Sequence, residues 1–224
     1  PFSLTALASQ KKSEIKEVSV SGGAKSQKFE IHAYDYSPNH FFIHERYTDP
    51  VLFNNYFGNP VPKVDNTLRV KDIQVWKTIT GLFTPNERKG NAWIELPSRT
   101  EGKIYNNQFR DSTLQSEPGI REIDRRFILL QPGIDYELHE ATGFITFKTQ
   151  IQDQDAIAVA FRQEGNPASA NDDIYYGEFI NDLQSTNVTR LVLLLVKPQN
   201  LQPGFKKAWK LQLRNIYPVG GRDV

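Results

Sequence analysis

The apolar residues between 68 and 78 follow the alternation of a β-strand, but they change face along the way. Val70 belongs to one face of an extended chain and Ile73 to the other. Because successive side chains of a strand point to opposite faces, this change of phase indicates a β-bulge at Lys71-Asp72. We therefore predict a bulged strand over 68–78.

Further along, the strand pattern is interrupted by turn residues and by a long polar stretch. A second strand is predicted from 91 to 96, after the turn-forming residues Pro85, Asn86 and Gly90. Residues 98–125 are polar and include Pro118-Gly119, which is typical of a long connection.

The chain then gives a clear strand-turn-strand signal. Short strands are predicted at 126–130 and 134–138, on either side of the turn Gln131-Pro132-Gly133. A third strand, 143–149, follows a polar turn and begins at Gly143. Glycine tolerates a positive φ that strains other residues, so we expect Gly143 to have that conformation.

The two-sided pattern at 155–161 alternates large apolar side chains with alanines. It favours a central strand with a close-packed second layer. Three more strands are predicted at 174–179, 188–196 and 208–217. We therefore expect a mainly β fold of one or two sandwich-like antiparallel β modules, with long loops and helix in under about a fifth of the residues.

These elements suggest a division of the chain into three parts. Residues 1–28 are predicted to be a flexible lead-in or a single strand around 15–20. A first β-rich module with a long loop spans 29–125, and it contains short strands or a helical turn near His40–Tyr47. A second module spans 126–224, and one continuous domain is the alternative.

Composition narrows the functional classes. The 27 basic and 26 acidic residues give a net charge of +1, which does not favour nucleic acid or an anionic membrane as a partner. The lack of cysteine excludes disulfides, thiolate catalysis and cysteine zinc sites. The longest apolar run, 191–196, is far shorter than the roughly 20 residues of a membrane-spanning helix. The chain begins at Pro1 without a signal-like leader, so we expect a fragment or a processed product.

No motif for catalysis or metal binding is complete. His44-Glu45 and His139-Glu140 each begin a zinc motif but lack the second histidine four residues on. A surface or structural role is favoured for all four histidines, His32, His40, His44 and His139. The pair Asp153 and Asp155 and the run Asn171-Asp172-Asp173 could supply calcium ligands, but without the EF-hand spacing a solvated loop is favoured. A glycosylation sequon is present at Asn187-Val188-Thr189.

Isolated aromatic and acidic residues also favour structural roles. Trp76 and Trp93 lie in predicted strands, and Trp209 alternates with polar residues, so core positions are favoured over platforms for sugars or nucleic acid. A hydrolase would have to use scattered carboxylates outside any motif, namely Asp135, Glu137 and Glu140. We expect no catalytic, cofactor-binding or metal-binding residue and no cofactor. The residues expected to have structural roles are Trp76, Gly133, Tyr136, Gly143 and Trp209.

Eight segments, in order along 29–220, resemble the SprA family of outer-membrane translocon proteins. They are 34–43, 70–78, 127–136, 142–147, 155–161, 177–179, 193–201 and 209–217. Val70–Thr78 is similar to that family's Arg-Ile-Glu-Val-Trp-Val-Thr strand, and 209–217 to its Trp-x-Leu-Met-Met-Lys-Asn-Ile-Tyr stretch. The sequence departs from the family at Gln212 and Leu213, where methionines are usual.

The resemblance implies a non-catalytic segment of a very large outer-membrane barrel that exports folded proteins in type IX secretion and gliding motility. The segment would be a soluble insertion on the periplasmic or extracellular side of the outer membrane of a Gram-negative bacterium. Its partners would be other components of the secretion machinery and secreted protein cargo, with membrane contact only through the parent barrel. The rival interpretation, a cell-surface carbohydrate-binding β-sandwich, rests on an aromatic content of 12%.

Overall fold

The computed structural model describes residues 16–18, 27–29, 31–81, 87–169, 172–183 and 189–218. These belong to two units, of which the smaller comprises 1–37 and 214–224 and the larger 38–213. In the smaller unit, strand β1 (Lys16–Val18) pairs with β2 (Gln27–Phe29) in antiparallel orientation. The Ser37 N–H donates a 2.7 Å hydrogen bond to the Ile216 carbonyl. The strand predicted around 15–20 is therefore present as β1, with a partner that was not predicted.

The larger unit contains nine strands and three short α-helices in its described residues. The strands are β3 (His40–Phe42), β4 (Val70–Thr78), β5 (Glu87–Trp93), β6 (Arg121–Leu129), β7 (Tyr136–His139), β8 (Phe144–Phe147), β9 (Ile157–Gln163), β10 (Ile174–Tyr176) and β11 (Leu191–Lys197). The helices are α1 (Pro50–Phe57), α2 (Asn107–Arg110) and α3 (Lys206–Leu211), with 3₁₀ turns at Glu45–Thr48, Asn66–Leu68 and Ile180–Leu183.

Five of these strands form a closed, barrel-like sheet in the order β4, β9, β11, β5, β6 and back to β4. The β11–β5 pair is parallel, and the other four pairs are antiparallel. Strands β4 and β5 precede residue 125 and pair with strands that follow it, so the two predicted modules share one sheet. Among the residues that the structure describes, strands make up 32% and helices, with the 3₁₀ turns included, 16%, which confirms the prediction of a mainly β fold with little helix.

The interior of the closed sheet is filled by one set of alternating residues. Ala158 and Ala160 of β9 lie there beside Trp76, Phe127 and Leu193, all fully buried. The small alanines leave room for the large tryptophan and phenylalanine rings, because protein interiors are close-packed. The indole N–H of Trp76 has no hydrogen-bond acceptor among the described residues.

The opposite face of β9 forms a second core with a three-stranded antiparallel sheet in the order β3, β8, β7. Ile157, Val159 and Phe161 pack there in one cluster with Phe41 and Ile145 from that sheet. Strand β9 also has hydrogen-bonded neighbours at both edges, namely β4 on one side and β11 and β10 on the other. The prediction of a central strand with a packed second layer is therefore confirmed.

Two details of the first predicted strands have opposite outcomes. The register between β4 and β9 shifts between Val70 and Asp72, which confirms the predicted bulge. The turn position predicted for Gly90 is wrong, because Gly90 lies inside β5. A Cβ atom at Gly90 would lie 3.0 Å from the Leu191 carbonyl oxygen, so glycine lets the parallel neighbour β11 approach closely.

The prediction of a strand at 208–217 is wrong in its first half, where the chain forms α3. Ala208 and Leu211 are buried and three residues apart, as expected for one face of a helix. After α3 the chain is extended, and the N–H of Leu213 donates a 2.9 Å hydrogen bond to the His40 carbonyl of β3. The side chain of Leu213 is buried there. The residues Trp209, Leu211 and Leu213 therefore alternate with polar residues in sequence although the first two lie on a helix and the third in the extended segment after it.

Helix α1 was not predicted. It begins after Asp49, whose side chain accepts a 2.9 Å hydrogen bond from the Val51 N–H, and it has Pro50 in its first turn. Among the described residues, no helix has the length and apolar character needed to span a membrane.

Candidate functional site

The second and third strands predicted around the turn at Gly133 form the hairpin of β7 and β8, whereas the first, at 126–130, is the end of β6 and pairs with β4 and β5. Gly133 and Gly143 have φ angles of 77° and 62°, which confirms the positive φ predicted for Gly143. A Cβ atom at Gly143 would overlap the ring of Tyr47, which is 1% exposed and donates a 2.8 Å hydrogen bond to the Leu68 carbonyl. Tyr136 is equally buried, and this burial together with the charge of its neighbouring carboxylate raises its pKa to about 12.

Helix α1 and this hairpin bring five rings together at the surface. We call this cluster the aromatic surface, and its members are Phe53, Tyr56, Phe57, His139 and Phe144. The ring centroids of Phe53 and Phe57 are 4.6 Å apart, as are those of Tyr56 and His139. The rings of His139 and Phe144 are stacked at 5.1 Å. These contacts hold the helix against the hairpin through partly exposed rings.

Helix α1 has an unusual amount of apolar exposure. None of its residues is buried, and Val51 and Phe57 are 60% and 50% exposed. In the chain that follows, Val61 and Val64 are also exposed, at 76% and 41%. A surface helix normally buries its apolar face against the core. Contiguous exposed apolar surface is typical of a binding site for another molecule.

The histidines lie in separate environments. The Nδ1 atom of His44 accepts a 3.1 Å hydrogen bond from the Arg46 backbone N–H, which caps a 3₁₀ turn. Burial and the charge of Arg46 lower the pKa of His44 to about 4, so the ring is neutral near pH 7. The Nδ1 atoms of His40 and His139 each contact a threonine hydroxyl, at 2.9 Å and 2.6 Å. His32 lies in the smaller unit.

The three carboxylates considered for a hydrolase are engaged with separate partners. Glu137 pairs with Lys148 at 2.9 Å, and Glu140 pairs with Arg69 at 2.6 Å. Asp135 accepts a 2.7 Å hydrogen bond from a backbone N–H of its own turn. Each carboxylate therefore has a local structural contact, and the geometry assigns none of them to a shared site.

The loop with Asp153 and Asp155 surrounds an ammonium group. The Nζ atom of Lys197 donates hydrogen bonds to the carbonyl oxygens of Gln152, Asp153 and Asp155, at 3.1, 3.1 and 2.6 Å. Burial lowers the pKa of Lys197 to about 8, and the two aspartates oppose this shift. A positive charge therefore already lies among the backbone oxygens that a calcium ion would use.

The second acidic candidate is also neutralised by cations. Asp173 is buried and interacts with Lys71 at 3.3 Å and with Arg162 at 3.4 Å. Its neighbour Asp172 accepts a 2.8 Å hydrogen bond from a backbone N–H, while Asn171 lies outside the described residues. Within the described ranges, no group of three or more histidine, cysteine, aspartate or glutamate side chains could hold a metal ion. The first two residues of the sequon at 187–189 are not among those described.

A buried acidic residue that sequence reasoning did not single out organises the loops beside β11. Glu178 is 0% exposed and accepts hydrogen bonds from the N–H groups of Tyr105 and Val192, at 2.8 and 3.0 Å. Arg110 completes this site with an ion pair to the same carboxylate. The partners are far apart in sequence, so no local pattern could have identified the site. Glu178 is therefore a buried charge whose partners all come from this fold, and loss of one partner would leave it uncompensated.

The remaining tryptophans have structural contacts. The Nε1–H of Trp93 donates a 3.1 Å hydrogen bond to the Phe109 carbonyl, and Arg121 lies over the ring at 5.4 Å from its centroid. Trp209 lies on α3 and is half-buried, so the strand core position predicted for it is wrong. Leu211, two residues on, takes the buried position on that helix.

Together these features define a mainly β domain with an exposed aromatic surface and with its buried charges engaged in internal contacts. The chain matches no protein-family model and no curated protein. Functional inference therefore rests on its sequence motifs and on the geometry described above.

Proposed function

We propose that the chain is a non-catalytic structural and interaction domain of an outer-membrane protein translocon of the SprA type, which serves type IX secretion and gliding motility. The aromatic surface is the observation that carries the interaction role, because its rings leave apolar area uncovered and α1 and the chain after it also expose valines. The segments in 29–220 that resemble the family supply the link to the translocon. The partner would be another component of the secretion machinery or secreted cargo.

The scaffold beneath the aromatic surface supports this role. The hairpin is held to the chain before α1 by the packing of Gly143 on Tyr47 and by the pairing of β3 with β8. Binding surfaces built on such packed elements lose little conformational entropy when a partner binds. The surface is therefore suited to recognition of a protein rather than to chemistry on a small substrate.

Carbohydrate binding, the rival function, would require a different orientation of the aromatic rings. A sugar stacks on the flat face of an aromatic ring. Here the ring planes of Tyr56 and Phe57 are inclined by 65°, and those of Tyr56 and His139 by 88°. This edge-to-face packing favours a protein partner over an extended sugar platform. Titration calorimetry against a panel of polysaccharides would support the rival if binding were saturable and lost in Phe57→Ser.

Replacement of exposed rings tests the proposed function directly. The double variant Phe57→Ser with Val61→Ser would be made in the full-length parent protein, with Ile134→Ser as the matched control. Ile134 is 66% exposed but lies in the turn that precedes β7. We expect the control to alter stability by less than about 0.5 kcal/mol, because Ile134 is exposed. The double variant loses ring contacts of Phe57, so circular dichroism would verify that it is folded. Export of secreted cargo should fall only in the double variant, and unchanged export there would contradict the proposal.

A further inference from the structure

A cavity of about 330 Å³ opens between a 3₁₀ turn, the segment after β5, β11 and α3. Its aliphatic wall residues are Ile43, Ile94, Leu96, Leu194, Leu195 and Leu211. This volume lies at the lower end of the range of roughly 300 to 1,000 Å³ that is usual for ligand sites. The cavity lies entirely within the larger unit and shares no residue with the aromatic surface.

Three charged side chains line the cavity beside its aliphatic wall. Lys207 and Glu95 form an ion pair with each other, and both are more than half exposed. Glu45 is also exposed, and its carboxylate has no ion-pair partner in the part of the chain that the structure describes. The lining therefore carries two negative charges and one positive charge, and Glu45 remains available to a cationic group. Such an arrangement selects for a ligand that combines apolar and basic groups.

His44 also belongs to the lining, and its ring packs against Tyr176 with the centroids 4.5 Å apart. Its Nδ1 atom is already the acceptor for the Arg46 backbone N–H, so in the neutral ring the proton is on Nε2. The Nε2 atom has no hydrogen-bond partner among the described residues, and it is not among their buried unpaired atoms. An accessible N–H beside an aliphatic cavity suits a carbonyl oxygen of a ligand.

We propose that this cavity binds a short peptide segment in which an apolar side chain is followed by lysine or arginine. The apolar side chain enters the aliphatic cavity, the basic side chain pairs with Glu45, and a peptide carbonyl accepts a hydrogen bond from His44. The three features of the lining thereby match the three groups of one ligand. The site shares no residue with the aromatic surface, so a test of this peptide site does not depend on the proposed function.

The probe is N-acetyl-Leu-Lys-amide, titrated into the ¹⁵N-labelled protein, with the Ser-Lys and Leu-Glu dipeptides as comparisons. We expect millimolar binding of Leu-Lys that shifts the amide signals of Ile94, Leu96 and Leu211. Replacement of leucine by serine or of lysine by glutamate should weaken binding about tenfold or more. Equal binding of Ser-Lys would show surface charge attraction only. Equal binding of Leu-Glu, or no shift at the cavity residues, would also overturn the proposal.

Two variants separate the cavity from nonspecific charge effects. Glu45→Gln should remove the preference for Leu-Lys over Leu-Glu, whereas the matched control Glu101→Gln, at an exposed position outside the cavity, should retain it. Ile94→Phe should fill part of the cavity and weaken both leucine peptides, with circular dichroism to verify folding. If Ile94→Phe fails to fold, Glu45→Gln still decides the outcome. Unchanged preference in Glu45→Gln contradicts the proposal.

Discussion

At the scale of single residues, the buried charges of this protein are compensated by fixed partners. Glu178 has two backbone N–H donors and one guanidinium, and Lys197 has several backbone carbonyls. Removal of one partner from such a site leaves the other uncompensated in a low-dielectric interior, which costs several kcal/mol. These residues are therefore expected to contribute to folding, and variants at them would not report on function.

Lys197 provides a prediction about calcium. Because its ammonium group lies among the carbonyls of the loop that contains Asp153 and Asp155, a divalent cation would have to displace it. We expect calcium or a chelator to shift the melting temperature by less than about 2 °C, since only a ligand that binds the folded state stabilises it. Thermal melts with 5 mM calcium or 5 mM chelator, on the order used to saturate weak extracellular sites, measure this effect. A large downward shift with chelator would contradict the prediction.

His44 provides a prediction about pH. Its pKa is about 4 in the folded protein and 6.5 as its ordinary value, so between these values the unfolded chain binds a proton that the folded chain does not. The free energy of unfolding should therefore fall as the pH falls from 6.5 to 4, by about 3 kcal/mol for this residue.

The variant His44→Asn isolates this contribution. Asparagine keeps a side-chain acceptor for the Arg46 N–H but does not titrate. We expect urea denaturation at several pH values to show a smaller loss of stability in His44→Asn than in the wild type between pH 6.5 and 4. Parallel pH profiles of the two proteins would show that His44 is not responsible.

At the scale of elements, sequence patterns worked where local chemistry decides the conformation. The bulge after Val70 and the positive φ of Gly143 could be predicted, because side-chain alternation and glycine conformational freedom are local properties. Helix α3 was misread as a strand because six residues allow a two-residue and a helical period to overlap. Helix α1 could have been found from Asp49-Pro50 followed by apolar residues at helical spacing, which is a capping signal.

The hairpin provides a matched pair of glycine substitutions. Gly133 and Gly143 both have positive φ, but only Gly143 faces a side chain, that of Tyr47, where its Cβ atom would be. We expect Gly133→Ala to lower the free energy of unfolding by about 1 kcal/mol through backbone strain alone. Gly143→Ala should lower it by about 3 kcal/mol, because overlap with the tyrosine ring adds to that strain. Urea denaturation of both variants tests this difference, and equal losses would contradict the packing of Gly143 on Tyr47.

At the scale of the whole molecule, most of the structure depends on pairing between segments far apart in sequence, which local sequence patterns do not reveal. The mainly β class followed from strand and turn signals, but closure of the sheet depends on the parallel pairing of Leu191–Leu194 with Gly90–Trp93, about a hundred residues away in sequence. The candidate sites have the same origin. The aromatic surface needs Tyr56 beside His139, and the cavity needs residues from the 3₁₀ turn at Glu45–Thr48 and from α3 in one lining. Neither arrangement leaves a periodic signal.

The closed sheet leads to a prediction about cooperativity. Each of its five strands has a partner on both sides, so loss of any strand opens the ring and exposes the interior around Trp76. We therefore expect residues 38–213 to unfold in one cooperative transition. Far-ultraviolet circular dichroism and tryptophan fluorescence in guanidinium chloride should give coincident curves, because all three tryptophans lie in this unit. The variant Trp76→Phe should have a lower midpoint, and its fluorescence, now from Trp93 and Trp209, should still coincide with circular dichroism. Separate midpoints in either protein would show that the three-stranded sheet and the closed sheet unfold independently.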